Sequence, residues 1–258
     1  MRPSIIPGLL MAARKNQNRG NFDLRFFEIG SSFKGSLPDE EFVEASGVLI
    51  GNILGRNVYE PSRMSDFFDI KNHVLNILNA LSVPIGRLSF KRGTPNYYHP
   101  QRSAVISLGP KVVLGRLGEI HPTILEQFDL KGRAYSFSIF PENIPFGSAK
   151  STSKQALEIY DLPSASRDFA FIVDEKVEID LLIASIYSVD KNLIQQVSLF
   201  DVFHGVKANE QFGNGKKSIA FSVKFQPRKE TLKDAEIDRI SKEIIQKIEK
   251  QTGGCLRS

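Results

Sequence analysis

At 258 residues, 41% hydrophobic and 24% charged, the chain is long enough for two ordinary domains, each with its own core. No apolar run approaches the length of a membrane-spanning helix, the first residues lack the charged-then-apolar pattern of a secretory leader, and the single cysteine, Cys255, excludes an internal disulfide and fits a reducing cytoplasm. The net charge of +5 points to a polyanionic partner, yet from Glu158 onward 15 Lys or Arg face 16 Asp or Glu, a net −1, while the part before carries +6. Any attraction of the last hundred residues for a polyanion must then be local, as at Lys216-Lys217 and Arg228-Lys229, residues that read equally well as solvated loop charges.

Pro7 opens an amphipathic segment over Leu9–Asn18, and Gly20 closes it. A strand is expected at Leu24–Ile29, leading into Gly30, and another at Phe42–Ile50. Ile70, Val74, Leu78 and Leu81 fall on one face of a helix. Strands follow at Arg87–Lys91, Ser103–Leu108 and Lys111–Leu117, then a short helix near Pro122–Phe128 and a strand at Arg133–Phe140. Helices packed against a largely antiparallel sheet make an α+β domain over residues 1–147. The polar stretch Ser-Ala-Lys-Ser-Thr-Ser-Lys-Gln at 148–155 places a linker at 148–157.

The second domain, 158–258, alternates as a half-buried strand over Ser166–Val173. Ile179, Leu182, Ile183 and Ile186 form a helical stripe, and strands are expected at Val197–Phe203 and Lys217–Phe225. Thr231-Leu232-Lys233-Asp234 has the pattern of a capping box, with the Thr231 hydroxyl taking an orphan amide of a helix that carries Ile237, Ile240, Ile244 and Ile248. Gly253-Gly254 ends that helix ahead of a last strand, Cys255-Leu256-Arg257. The order βαββαβ is ferredoxin-like and leaves one sheet face open, as in RNA-recognition modules.

Catalytic constellations are poor. His73, His99, His121 and His204 lack metal-ligand spacing; His99 and His121 both precede Pro and are expected to meet across a sheet in a structural role. Gly213-Asn214-Gly215-Lys216-Lys217-Ser218 shares only the end of a P-loop pattern and reads as a hairpin loop. Gly115-x-x-Gly118 lacks the third glycine of a dinucleotide fingerprint. Cys255 has no neighbouring base and is expected as a buried thiol.

Arg167-Asp168-Phe169, Phe200-Asp201-Val202-Phe203, Lys217-Ser218-Ile219-Ala220, Arg228, Thr231-Leu232 and Leu256-Arg257 together resemble the ferredoxin-fold anticodon-binding domain of the bacterial phenylalanyl-tRNA synthetase β-subunit family. The first domain is similar to that family's catalytic-like domain through Arg2-Pro3-Ser4, Pro7-Gly8-Leu9-Leu10, Asn18-Arg19, Phe27-Glu28-Ile29-Gly30, Tyr98-His99-Pro100 and Gly115 through Pro122. The resemblance implies a class II synthetase-like fold without an active site, followed by the anticodon-binding domain. It implies a catalytic α subunit and tRNA-Phe as partners, a heterotetramer of two α and two β, and a location in the cytoplasm, with neither DNA nor membrane involved. ATP and Mg²⁺ would serve the whole synthetase, with no cofactor held here. Serines follow Gly30 where class II adenylation needs an arginine, and no Gly-x-Gly-x-x-Arg run comes after residue 120, so the chain alone is expected to be catalytically silent. Met1 stands just ahead of the first matching helix, so the chain is expected to be a piece of a longer subunit. The family's further modules, for tRNA binding and for hydrolysing mischarged tyrosine, are absent from these residues.

In the strand from Lys217, alternation sends Ile219, Phe221, Val223 and Phe225 toward the helices and leaves Ser218, Ala220, Ser222 and Lys224 on the open face. That face is small and polar, so candidate RNA contacts are Lys216, Lys217, Ser218 and the rim residues Arg167, Phe203 and Arg228, any of which could be structural. Asp201 is a candidate to hold a loop amide. The competing readings are a stand-alone RNA-binding protein and an assembly module without anticodon reading. An enzyme acting alone is the weakest.

Overall fold

In a computed structural model that describes residues 1–55, 57–145, 160–228 and 230–257, the chain divides into two units, Met1–Lys154 and Gln155–Ser258. The linker expected at 148–157 lies outside the described residues.

The first unit opens with α1 (Ile6–Gln17), where Pro7 sits in the first turn and its missing N–H leaves no helical bond unmade. Six strands follow: β1 (Leu24–Phe33), β2 (Glu41–Ile50), β3 (Leu88–Lys91), β4 (Tyr98–Leu108), β5 (Val112–Ile120) and β6 (Ala134–Ile139). They form one antiparallel sheet in the order β1-β2-β6-β5-β4-β3. Two cores lie on its two faces. On one, Leu9 and Leu10 of α1 and Leu125 of α3 (Pro122–Gln127) pack with Leu24, Val48, Ile50 and Tyr98. On the other, Ile70, Val74 and Leu78 of α2 (Phe67–Ala80) pack with Leu49, Ile106, Leu117 and Phe137. The expected stripe is therefore the buried face, apart from Leu81, which caps the helix and is exposed. Asp66 caps the N-terminus of α2, accepting from Phe68 N at 2.7 Å and Asp69 N at 3.0 Å.

The glycines of β5 serve packing. A Cβ on Gly115 would strike the carbonyl oxygen of Ser138, and one on Gly118 would strike Ser103, so neighbouring strands could not close on any larger residue.

The second unit contains β7 (Ala165–Asp174), α4 (Ile179–Tyr187), β8 (Ile194–Phe203), α5 (Val206–Phe212), β9 (Lys216–Phe225), α6 (Asp234–Thr252) and β10 (Cys255–Leu256). Its sheet runs β10-β7-β9-β8, all antiparallel, the ferredoxin-like order. Ile237, Ile240, Ile244 and Ile248 of α6 are all buried against Phe171, Ile219, Phe221 and Phe225. Gly253 ends α6 in the left-handed region at φ 66°, which a residue with a Cβ resists.

Three expectations are corrected. Thr231 does not cap α6: the helix starts at Asp234, Lys233 is the N-cap, and the first-turn amides of Glu236 and Ile237 bond the Lys233 carbonyl. Cys255 is exposed, because β10 is a two-residue edge strand with nothing outside it among the described residues. The β8–β9 connection is more than a hairpin loop: it contains α5, and Lys216, Lys217 and Ser218 already belong to β9.

Candidate nucleic-acid interface

Register sets the face of every side chain in the second unit. Ile219, Phe221, Val223 and Phe225 are fully buried under α4 and α6. The other face carries Ser218, Ala220, Ser222 and Lys224 of β9, paired with Phe203, Asp201, Ser198 and Gln196 of β8 and with Ile172, Ala170, Asp168 and Ser166 of β7.

This second face is only half open, which corrects the expectation of a bare sheet. Ser218 and Ala220 are buried, at 3% and 8% exposure. The cover is α5, whose Ala208 is fully buried and whose Phe212 meets Phe203 edge to face, ring centroids 6.1 Å apart. The guanidinium of Arg257 lies 5.1 Å from the Phe212 ring centre, held there because the Arg257 N–H donates to Ala170 O at 2.7 Å and extends the ladder beyond β10. The uncovered half presents Ser222, Lys224, Asp168, Ser166 and Gln196.

The six candidates do not converge. Phe203 and Ser218 are register partners on the α5 face, with Ser218 beneath the cover. Lys216 shares that face and pairs with Asp174 at 2.7 Å across the β7–β9 edge, an exposed pair of small energetic weight. Lys217 points to the opposite face, where its ammonium donates to Val177 O at 2.7 Å. Arg167 sits opposite Val223, also on the helix-side face, and is exposed. Val223 lies five positions along β9 from Ser218, roughly 17 Å. Arg228 lies past the end of β9, its guanidinium 5.7 Å from the Tyr160 ring centre. The Asp201 side chain makes no hydrogen bond or ion pair among the described residues, so it holds no loop amide there.

Two side chains of this unit escaped the candidate set. A bulge between Leu199 and Asp201 leaves Phe200 out of the β8–β9 register and 59% exposed. Arg257 is the other. A bulge and a one-residue ladder extension leave no periodic trace, although an aromatic pair Phe200/Phe203 around an aspartate was visible as a motif.

In the first unit, the serine following Ser31 is wholly engaged. Ser32 is buried and donates to Glu44 Oε2 at 2.7 Å. Ser46 Oγ donates to Glu44 Oε1 at 2.8 Å, and the Ile5 amide at the start of α1 donates to Oε2 at 3.1 Å. His99 and His121 do meet, rings stacked 6.4 Å apart, each Nδ1 accepting a backbone N–H from Gln101 and Thr123 respectively. Among the described residues no group of three His, Cys, Asp or Glu could hold a metal, and no helix is long and apolar enough to cross a membrane.

Residues 1–140 match the model of the phenylalanyl tRNA synthetase beta chain CLM domain, and residues 161–257 match that of the ferredoxin-fold anticodon binding domain. The chain is 40% identical over 257 residues to the phenylalanine–tRNA ligase beta subunits of Cereibacter sphaeroides and Ruegeria pomeroyi, with 100% of this chain and 32% of each relative covered. It is 40% identical to that of Brucella abortus over 262 residues with the same coverage. The chain thus spans about a third of the length of the curated relatives it matches. Among solved structures it is similar to a pyrrolysyl-tRNA synthetase from Desulfitobacterium hafniense, at TM-score 0.42 and 16% identity over 56% of this chain and 48% of that one. The two matched domains stand in the order in which their residue signatures occur, and the identity to these relatives runs the full length: the chain belongs to the phenylalanyl-tRNA synthetase beta-chain family.

Proposed function

We propose that the second unit binds the anticodon stem-loop of tRNA-Phe and that the first braces a catalytic α subunit, within a cytoplasmic phenylalanine–tRNA ligase of two α and two β subunits. ATP and Mg²⁺ would then be used by the α subunit, and this chain would carry none of the chemistry. The reading of the second unit rests above all on its exposed aromatic surface: Phe200 of β8 is 59% exposed, and three residues on, Phe203 belongs to the Phe203–Phe212–Arg257 stack at the covered half of the polar sheet face. Unstacked bases bind to such aromatic faces, and Arg and Lys nearby hold the phosphates. The family match over 161–257 supports the same reading. For the first unit the support is apolar exposure on an edge strand: Phe27 is 77% and Ile29 64% exposed on β1, beside an apolar cleft of about 540 Å³ against α2.

A second reading, favoured by the net −1 charge after residue 157, is that the last unit contacts protein and not RNA. Phe200→Ala separates the two, because an exposed side chain can be removed without touching the core. A lost base stack costs about 1–3 kcal/mol, or roughly five- to 150-fold in tRNA affinity. Unchanged affinity in Phe200→Ala would favour the protein-contact reading.

A further inference from the structure

A second cleft, of about 480 Å³, opens on the first unit at the end of the sheet face that carries α1. Its walls include Phe33, Phe42, Phe140 and Tyr97, with Phe42 and Phe140 edge to face at 6.0 Å. Lys34 and Arg116 are the cations that line it, Glu44 and Glu142 the carboxylates.

The two kinds of charge are satisfied very differently. Glu44 is buried, with both oxygens taken by donors of this chain: Ser46 and, at 3.4 Å, Ser4 on Oε1, Ser32 and the Ile5 amide on Oε2. Glu142 accepts the Val43 amide at 3.1 Å. The cations have no carboxylate within ion-pair distance among the described residues. Lys34 rests 5.4 Å from the centre of Phe42, and the half-buried Arg116 rests 5.5 Å from the centre of Phe140. Arg116 also faces the phenol of Tyr97, whose pKa burial pushes above the ordinary value although the charge and hydrogen bond of Arg116 act to lower it. Register fixes Arg116 in one row with Ser138, and Ser138 with Ser46, so its side chain leaves an interior strand of the sheet and not an edge. A half-buried guanidinium with ring walls and no counter-ion is poised for an anion, and a planar fork suits carboxylate and phosphate oxygens. The volume lies within the range of small-molecule sites.

We propose that this cleft is a binding site for a small molecule that joins a flat ring to one carboxylate or phosphate, the anion on Arg116 with Lys34 at the mouth and the ring among the phenylalanines. The cleft is lined by first-unit residues alone and would hold such a ligand whether or not the function proposed above is right.

Calorimetric titration of the chain with 3-phenylpropanoate and with adenosine monophosphate tests it and distinguishes the two anion sources, with 3-phenylpropanol and adenosine as neutral counterparts. Saturable binding of at least one anion, ten or more times tighter than its neutral counterpart, is expected, as is a loss of at least tenfold in Arg116→Met. Arg116→Lys should keep part of the affinity, and circular dichroism checks that both variants fold. If Arg116→Met does not fold, the anion-to-neutral comparison on the unaltered chain decides alone. The proposal fails if neither anion saturates at millimolar concentration, if the neutral counterparts bind as well, or if folded Arg116→Met binds unchanged.

Discussion

Asp69 accepts two bonds from the Arg63 guanidinium, at 2.6 and 2.7 Å, and a third from the Asp66 amide at 2.8 Å. The Arg63 bond, more than any other contact, holds its carboxyl below the ordinary carboxylate value, against the upward push of burial. A depressed carboxyl stabilises the fold above its unfolded value of about 3.9 and loses that contribution as pH falls through the lower folded value. Arg63→Met should therefore raise the Asp69 value in a carboxyl NMR titration. It should also lower stability above about pH 4, with the difference from the unaltered chain closing at lower pH. An unshifted Asp69 would show that the ion pair is not formed in solution. At this scale the sequence was readable where chemistry is local: His99 and His121, each ahead of a proline, do stack across the sheet. It was unreadable where exposure depends on a neighbour, since nothing in Cys255 itself says that its strand is the last one on an edge.

Period carried the elements. The isoleucines at 237, 240, 244 and 248 repeat at helical spacing and are the buried seam of α6, each 5% exposed or less. Ile244→Ala should cost about 3 kcal/mol by chemical denaturation, the loss expected for a large-to-small change in a closed core. A cost below about 1 kcal/mol would mean that the seam is looser than its burial implies. The alternation of Ile219 to Phe225 placed the helix-facing side correctly for the same reason. What the pattern missed is α5, seven residues between Gly205 and Gly213 with a single buried side chain, Ala208, too short to display a stripe. Missing it left the sheet face looking bare, although α5 covers Ser218. The Thr231 capping pattern misled because local spacing cannot say which residue the helix will start from; the extended N-cap residue is Lys233, two residues after Thr231.

At the scale of the molecule, two units with separate cores stand in one chain, and the two matched domains follow the same division. The net charge is concentrated in the first, so whatever RNA specificity the second has must come from shape and stacking more than from a general positive field. That contrast makes salt the decisive variable. The measurement is binding of the chain to tRNA-Phe, beside the same tRNA with its anticodon replaced, across a salt titration. Direct reading by the face around Phe200 and Phe203 predicts a preference for the native anticodon that persists as salt rises. Equal affinities that collapse together with salt would contradict it, leaving only phosphate attraction.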